Sequence, residues 1–141
     1  MTRLVTILGY ILAAFLAYMG AQKFMGGVPI FAIIESNAAA QWGLDLPWIE
    51  PWFRYLTGVL ELIAAGLLVF GRRLPGGALA TLITAGAVVA HLTVLGIETP
   101  MSADPGAAKS PMLFAVAVAS LAVSAFVTLL SRSRVAAAPA S

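Results

Sequence analysis

The chain has no cysteine and little charge: 8 lysines and arginines, 6 acids and one histidine in 141 residues. The missing thiols exclude disulfide frameworks, dithiol redox chemistry, thiolate metal sites and thiol nucleophiles. The scarcity of charge excludes a water-exposed globular surface. Soluble domains carry about 25% charged and about 45–50% apolar residues, against 10% and 61% here. The net charge of +2 suggests no nucleic-acid partner, because no basic run exceeds Arg72 and Arg73, too short to track phosphates. A second histidine to accompany His91 is also lacking, so neither haem nor zinc finds a ligand set. There is no phosphate-cradling glycine loop and no Ser–His–Asp order at interpretable spacing. No metal, no intrinsic cofactor and no catalytic residue is expected.

What remains is oil. A hydrocarbon layer of about 30 Å needs about 20 apolar residues in a helix rising 1.5 Å per residue. Leu4–Lys23, Trp52–Phe70, Pro75–Gly96 and Pro111–Leu130 satisfy this, separated by Gly26, Gly27 and Pro29, by Gly71 to Pro75, and by Pro100, Asp104, Pro105, Gly106 and Pro111. The expected fold is an all-α membrane protein, a bundle of four transmembrane helices forming one domain over residues 1–131, followed by a short cytoplasmic tail at 132–141. Arg3 before an apolar run resembles a secretory leader, but Phe15, Tyr18 and Met19 stand where small residues belong. The first segment is read as retained.

Arg3, Arg72, Arg73, Arg132 and Arg134 fall at the ends that four antiparallel spans bring to one side, and all six acids lie elsewhere. By the positive-inside rule both termini face the cytoplasm, with membrane lipids as the first partners. Between the first two spans, Val28–Ala39 mixes Ile30, Phe31, Ile33 and Ile34 with Glu35, Ser36 and Asn37, the pattern of a short interfacial helix in the first outer loop. Trp42, Trp48 and Trp52 follow at headgroup level as anchors, either as a lipid anchor alone or as part of a lid.

Helices in lipid associate through close packing and hydrogen bonds, so small residues should mark the seams. The stripes expected are Gly9, Ala13, Ala17 and Ala21 in the first span; Gly77, Thr81 and Ala85, with a second row of Ala78, Gly86 and Ala90, in the third; and Ala115, Ala117, Ala119, Ser120, Ala122 and Ser124 in the fourth.

The acid at Glu61 lies deepest, about nine residues or roughly 13 Å below Trp52 at helical rise. A charge there costs at least about 2.5–3.5 kcal/mol on insertion scales. Such a carboxyl either takes up a proton or is held as an anion by a base, and both outcomes turn it toward the bundle. Lys23 and Arg54 are the bases at hand, with His91 and Glu98 also in the outer half. Arg54 lies seven residues before Glu61 and His91 seven before Glu98, each pair on one helical face. With Tyr18 and Tyr55 these residues form a candidate cluster, read either as an outward-opening ligand pocket floored by Glu61 or as a structural clamp between helices.

Gly20-Ala21-Gln22-Lys23-Phe24 at the end of the first span, and the stretch from Gly58 through Glu61 and Gly66 to Gly71 in the second, resemble the DoxX and DoxX-like family of small four-span bacterial membrane proteins. The resemblance covers nearly the whole chain in length and span count. It implies a single bundle in a bacterial inner (plasma) membrane, with Lys23 and Glu61 as the characteristic pair. Some members of that family are linked to thiosulfate:quinone oxidoreductases, others to membrane-associated oxidative-stress complexes, and distant relatives bind ligands or assist assembly. With no cysteine, any thiol relay of a relative is absent here. Three functions follow as expectations: a non-catalytic accessory or scaffold subunit of a larger respiratory, photosynthetic or redox complex of membrane proteins; a binder of a quinone or lipid near Glu61, with Tyr18, Tyr55 and His91 as further hydrogen-bonding groups; or a membrane subunit of a quinone-linked oxidoreductase whose partner carries the cofactor.

Overall fold

The structure is a computed structural model describing residues 2–26, 28–102, 104 and 106–136. Gly27, Pro105, the last five residues of the tail and the side chain of Arg134, on which sequence expectations fell, lie outside the described parts. Five α-helices run through it: α1 (Thr2–Met25), α2 (Ile30–Trp42), α3 (Arg54–Val69), α4 (Arg73–Ala90) and α5 (Met112–Ala136). A wider π-type turn, Ile49–Phe53, leads into α3, and a second, His91–Leu95, extends α4. Four helical stretches are long and apolar enough to cross a membrane: Arg3–Met25, Ile49–Val69, Arg73–Leu95 and Met112–Ser133, the second of them kinked at Glu50, whose backbone (φ −111°, ψ 119°) is not helical. They match the four expected spans to within a few residues, except that α5 carries on past Leu130 into the segment read as tail.

The four long helices pack as a ring, α1 against α3, α3 against α4, α4 against α5 and α5 back onto α1, with every neighbour antiparallel. Their inward stripes meet in a small core of Val5, Leu12, Ala13, Leu16, Ala64, Ala65, Leu68, Ala80 and Val127. The outward faces stay apolar: Ile11, Ile63, Leu82 and Leu129 are all more than 45% exposed. That is the inside-out economy of a helix bundle whose solvent is lipid.

The seams differ from the expected stripes in which small residues they use. On α1 the buried row is Val5, Gly9, Leu12, Ala13, Leu16, Gly20 and Lys23, while Ala21 faces outward. A strict four-residue spacing drifts off a 3.6-residue turn, so a stripe that starts at Gly9 must shift by one position to stay inside. On α4, Gly76, Gly77, Ala80 and Thr84 are buried, whereas Ala78 and Gly86 of the second expected row are exposed. On α5, Ala117 and Ser124 point in, with Val127 and Ser131, while Ala115, Ala119 and Ala122 point out. Across the α4–α5 seam Thr84 and Ser124 hydroxyls lie 3.1 Å apart and Thr81 and Thr128 hydroxyls 3.2 Å apart. Gly77 makes room there: a Cβ on it would sit 2.7 Å from the Thr128 hydroxyl oxygen.

α2 lies across the end of the bundle where α1 finishes and α3 begins. It ends in Gly43, whose left-handed backbone (φ 66°) carries the chain out of the helix. The Gly43 and Leu44 amides there close on the carbonyls of Ala39 and Ala38. Phe31, Ile33 and Ala38 are its buried residues. The amides of Asn37 and Gln41 both donate to the Val94 carbonyl, at 3.0 and 3.3 Å, one of the carbonyls that the end of α4 leaves without a helical partner. A two-rung antiparallel ladder of β1 (Thr99–Pro100) with β2 (Lys109–Ser110) closes the connection from α4 to α5.

Candidate functional site

The site is built where α1 and α3 cross. Gly20 and Gly58 face each other there: a Cβ on Gly20 would lie 3.0 Å from the Gly58 carbonyl oxygen, and one on Gly58 would lie 3.2 Å from the Gly20 carbonyl oxygen. Without side chains at these two positions the backbones nearly touch. Three residues further along each helix stand Lys23 and Glu61; in antiparallel helices these lie on opposite sides of the crossing, and side chains that tilt toward their own helix N-terminus reach back across it to meet. The Lys23 ammonium donates to a Glu61 carboxylate oxygen at 2.6 Å, with the two side chains 7% and 9% exposed. A charge-assisted hydrogen bond of that length in a dry surround is the strong kind, and it offsets the cost of placing either charge in the interior.

A second pair sits about 10 Å outward along α3 by helical rise. Arg54 Nε donates to Glu50 at 2.7 Å, and the same guanidinium donates to the backbone carbonyl of Lys23, one of the last carbonyls of α1. Arg54 therefore ties the start of α3 to the end of α1 while leaving Glu61 to Lys23. Tyr55 lies against its guanidinium, 4.5 Å from the ring centre, and stacks on Phe24 at 5.5 Å. Above, Phe31 of α2 brings its ring within 5.9 Å of the Lys23 ammonium, and a Glu35 carboxylate oxygen accepts the Glu50 amide at 3.3 Å. A chain of polar contacts thus runs from Glu61 outward through Lys23, Arg54 and Glu50 to Glu35.

The other expected members stand apart from this chain. His91 is buried, but its Nδ1 lies 2.9 Å from the Thr99 hydroxyl and 3.2 Å from the Gly96 carbonyl oxygen, with Phe114 edge-on at 5.7 Å. It pins the end of α4 to the β-ladder. Glu98 is exposed and does not share a helical face with His91, because the helix stops at Leu95 and Gly96 turns the chain with φ 78°. The hydroxyl that meets the imidazole is Thr99 instead. Tyr18 is 61% exposed on the outer face of α1, its hydroxyl accepting a 2.6 Å hydrogen bond from Gln22, and it lines no wall of a cavity beside Glu61. Trp42, Trp48 and Trp52 are 51%, 51% and 69% exposed at this same end of the molecule.

Two open clefts lie one layer further out than Glu61. One, of about 350 Å³, is lined by Ala32, Glu35, Ser36, Ala39, Asp45 and Glu50. The other, of about 500 Å³, is lined by Val28, Pro29, Ala32, Glu50, Arg54, Met101 and Ser102. Glu50, which borders both, had a legible signal: it precedes Arg54 by four residues, the favourable order for a helical ion pair, with Pro51 between them obscuring the continuity. Phe31 and Thr99 carried no signal that singles them out, since their roles arise from a helix and a ladder folding back over the bundle end. Among the described residues no group of three or more histidines and acids is placed to hold a metal ion.

Compared with protein-family models, with curated proteins and with solved structures, the chain matches none.

Proposed function

We propose that this protein is a non-catalytic integral membrane subunit, an accessory or scaffold component of a larger complex in a bacterial inner membrane, of the DoxX-like kind that its Lys23 and Glu61 segments resemble. The observation that carries this reading is the closure of the polar cluster on itself. The one acid in the middle of a long apolar helix is spent on Lys23, Arg54 is spent on Glu50 and the end of α1, and His91 on the β-ladder. These are clamps between helices. What the molecule offers outward is four apolar helix faces, suited to lipid and to the helices of other membrane proteins.

In this reading α2 lies in the outer interface, supported by the exposed Trp42 and Trp48 beside it. Both termini are cytoplasmic, supported by the gathering of Arg3, Arg72, Arg73 and Arg132 at the end opposite Glu35, Asp45, Glu50, Glu98 and Asp104. The test is extraction in a mild detergent followed by mass measurement of the native particle. A particle several times larger than the 14.6 kDa chain that contains other integral proteins supports the proposal, and a lone bundle overturns it.

A second reading, a site for a lipid-soluble ligand such as a quinone, is favoured by the cleft of about 500 Å³ bordered by Arg54 and Glu50, a volume within the usual range for small-molecule sites. Retention of a quinone by the purified protein that Glu50→Gln abolishes would support it.

A further inference from the structure

The two ends of the bundle treat their cations in opposite ways. At the α2 end Lys23 is paired with Glu61 and Arg54 with Glu50. At the other end stand Arg3 on α1, Arg72 and Arg73 in the turn from α3 to α4, and Arg132 on α5, and no acid of the chain lies there. Among the described residues the ion pairs are those two at the α2 end, and neither involves these four arginines. Arg3, Arg72 and Arg132 are exposed, and Arg73 is half-buried, its Nε passing over Gly9 of α1, 3.8 Å from where a Cβ would stand. Gly9 belongs to the inward-facing row of α1, so Arg73 reaches over the inner edge of that helix.

All of these bases are arginine, while both lysines of the chain lie toward the other end. A guanidinium presents a planar fork of donors that fits phosphate oxygens two at a time, which an ammonium does not. From the unpaired charge and the chemistry of the fork, we infer that this end of the bundle binds the phosphate headgroup of an anionic phospholipid such as phosphatidylglycerol, held between Arg72 and Arg73, with its acyl chains along the apolar outer faces of the neighbouring helices α3 and α4. The inference holds whichever side of a membrane this end faces, and it is independent of the proposed accessory role.

The experiment titrates the purified full chain in detergent with phosphatidylglycerol or with phosphatidylcholine of the same acyl chains and counts bound lipid by native mass spectrometry. Each basic residue near an anionic headgroup contributes about fivefold in binding. Phosphatidylglycerol should therefore be retained at least about fivefold better than phosphatidylcholine, and Arg72→Gln with Arg73→Gln should weaken its retention by about 25-fold. Lys109→Gln, at the opposite end, should leave it unchanged, and Arg73→Lys should lose part of it because the charge stays and the fork goes. Equal retention of the two lipids by the unaltered protein overturns the inference without any variant having to fold. A loss with Lys109→Gln as large as with the arginine pair overturns the location, full retention in Arg73→Lys overturns the role of the fork, and displacement of the lipid by millimolar inorganic phosphate shows a free-anion site in place of a lipid site.

Discussion

Gly58 of α3 lies so close to Gly20 of α1 that a methyl group on Gly58 would stand 2.8 Å from the Phe24 ring and 3.1 Å from the Lys23 Cβ. The crossing and the ion pair beside it are therefore one structure. Gly58→Ala must push α1 away or move Phe24 and Lys23. Overpacking of this kind costs about 1–3 kcal/mol, so the thermal midpoint in detergent should fall by several degrees. Gly66→Ala on the same helix is the control, because nothing lies within 4 Å of its added methyl, and the greater helix propensity of alanine should leave the midpoint unchanged or raise it. Equal effects at the two positions would mean that the close crossing does not hold the bundle.

The Lys23–Glu61 pair should behave asymmetrically under substitution. Glu61→Gln strands an ammonium that is 7% exposed, and breaking a buried pair from one side costs about 3–5 kcal/mol. Replacing both partners, Lys23→Met with Glu61→Leu, removes both desolvation costs and should recover most of that loss. A cycle of the two single variants and the double, followed by thermal or denaturant unfolding, gives the coupling directly. If the double variant is as stable as the parent but no longer recovered with its complex, the pair has a role beyond clamping. Additive losses would mean that the two groups do not depend on each other.

How far this site is legible in the sequence depends on the kind of reasoning applied. The four long helices are readable because an apolar run of about 20 residues has few other uses; the turn at His91 only lengthens α4, while the one at Ile49 joins α3 through a kink at Glu50. Alternation of direction puts Lys23 and Glu61 in the same half of the bundle. It does not say which residues share a face across two helices, and that depends on the Gly20–Gly58 crossing. His91 and Glu98 show the opposite case: seven-residue spacing means one face only while the helix lasts, and Gly96 ends it between them. Tyr18 enters the candidate cluster as a hydrogen-bonding side chain, and rotation about the helix axis takes it outward. The segment forming α2 is legible as amphipathic, but its anchoring on Val94 through Asn37 and Gln41 joins residues more than 50 positions apart.

The hydroxyl contacts between α4 and α5 should matter less than the glycine that lets them form. Polar contacts between membrane helices average about 0.6 kcal/mol, and the Thr84 hydroxyl also donates to the Ala80 carbonyl at 2.8 Å. Ser124→Ala is therefore expected to lower stability by less than about 1 kcal/mol. Gly77→Ala drives a methyl to 2.7 Å from the Thr128 oxygen and should cost two to three times as much, on the order of 1–3 kcal/mol for overpacking. Unfolding of the two variants side by side ranks them, and the reverse order would mean that hydrogen bonding outweighs packing in this seam.

The attachment of α2 to the bundle end rests heavily on side chains. Asn37 and Gln41 share one acceptor, the Val94 carbonyl, and Phe31 is seated between Lys23 and Phe53. Asn37→Ala with Gln41→Ala should loosen residues 30–42 without unfolding the four long helices, because local opening is governed by local contacts. Hydrogen exchange followed by mass spectrometry should show faster exchange confined to peptides from α2 and the His91–Leu95 turn. Faster exchange across α1 and α3 as well would mean that α2 is part of the same cooperative unit as the ion pair.

The absence of cysteine from the chain makes its orientation directly measurable, since any introduced thiol is unique. Ser36 on α2 and Ser133 on α5 are both exposed and stand at opposite ends of the bundle. If the arginine-bearing end is cytoplasmic, as the positive-inside rule requires, a membrane-impermeant maleimide added to spheroplasts should label Ser36→Cys at once and Ser133→Cys only after the membrane is opened. The opposite pattern would invert the protein, carrying α2 and its two clefts to the cytoplasm. Labelling of both in intact spheroplasts would remove the bilayer from between them, and with it the reason for a bundle whose outer faces are apolar.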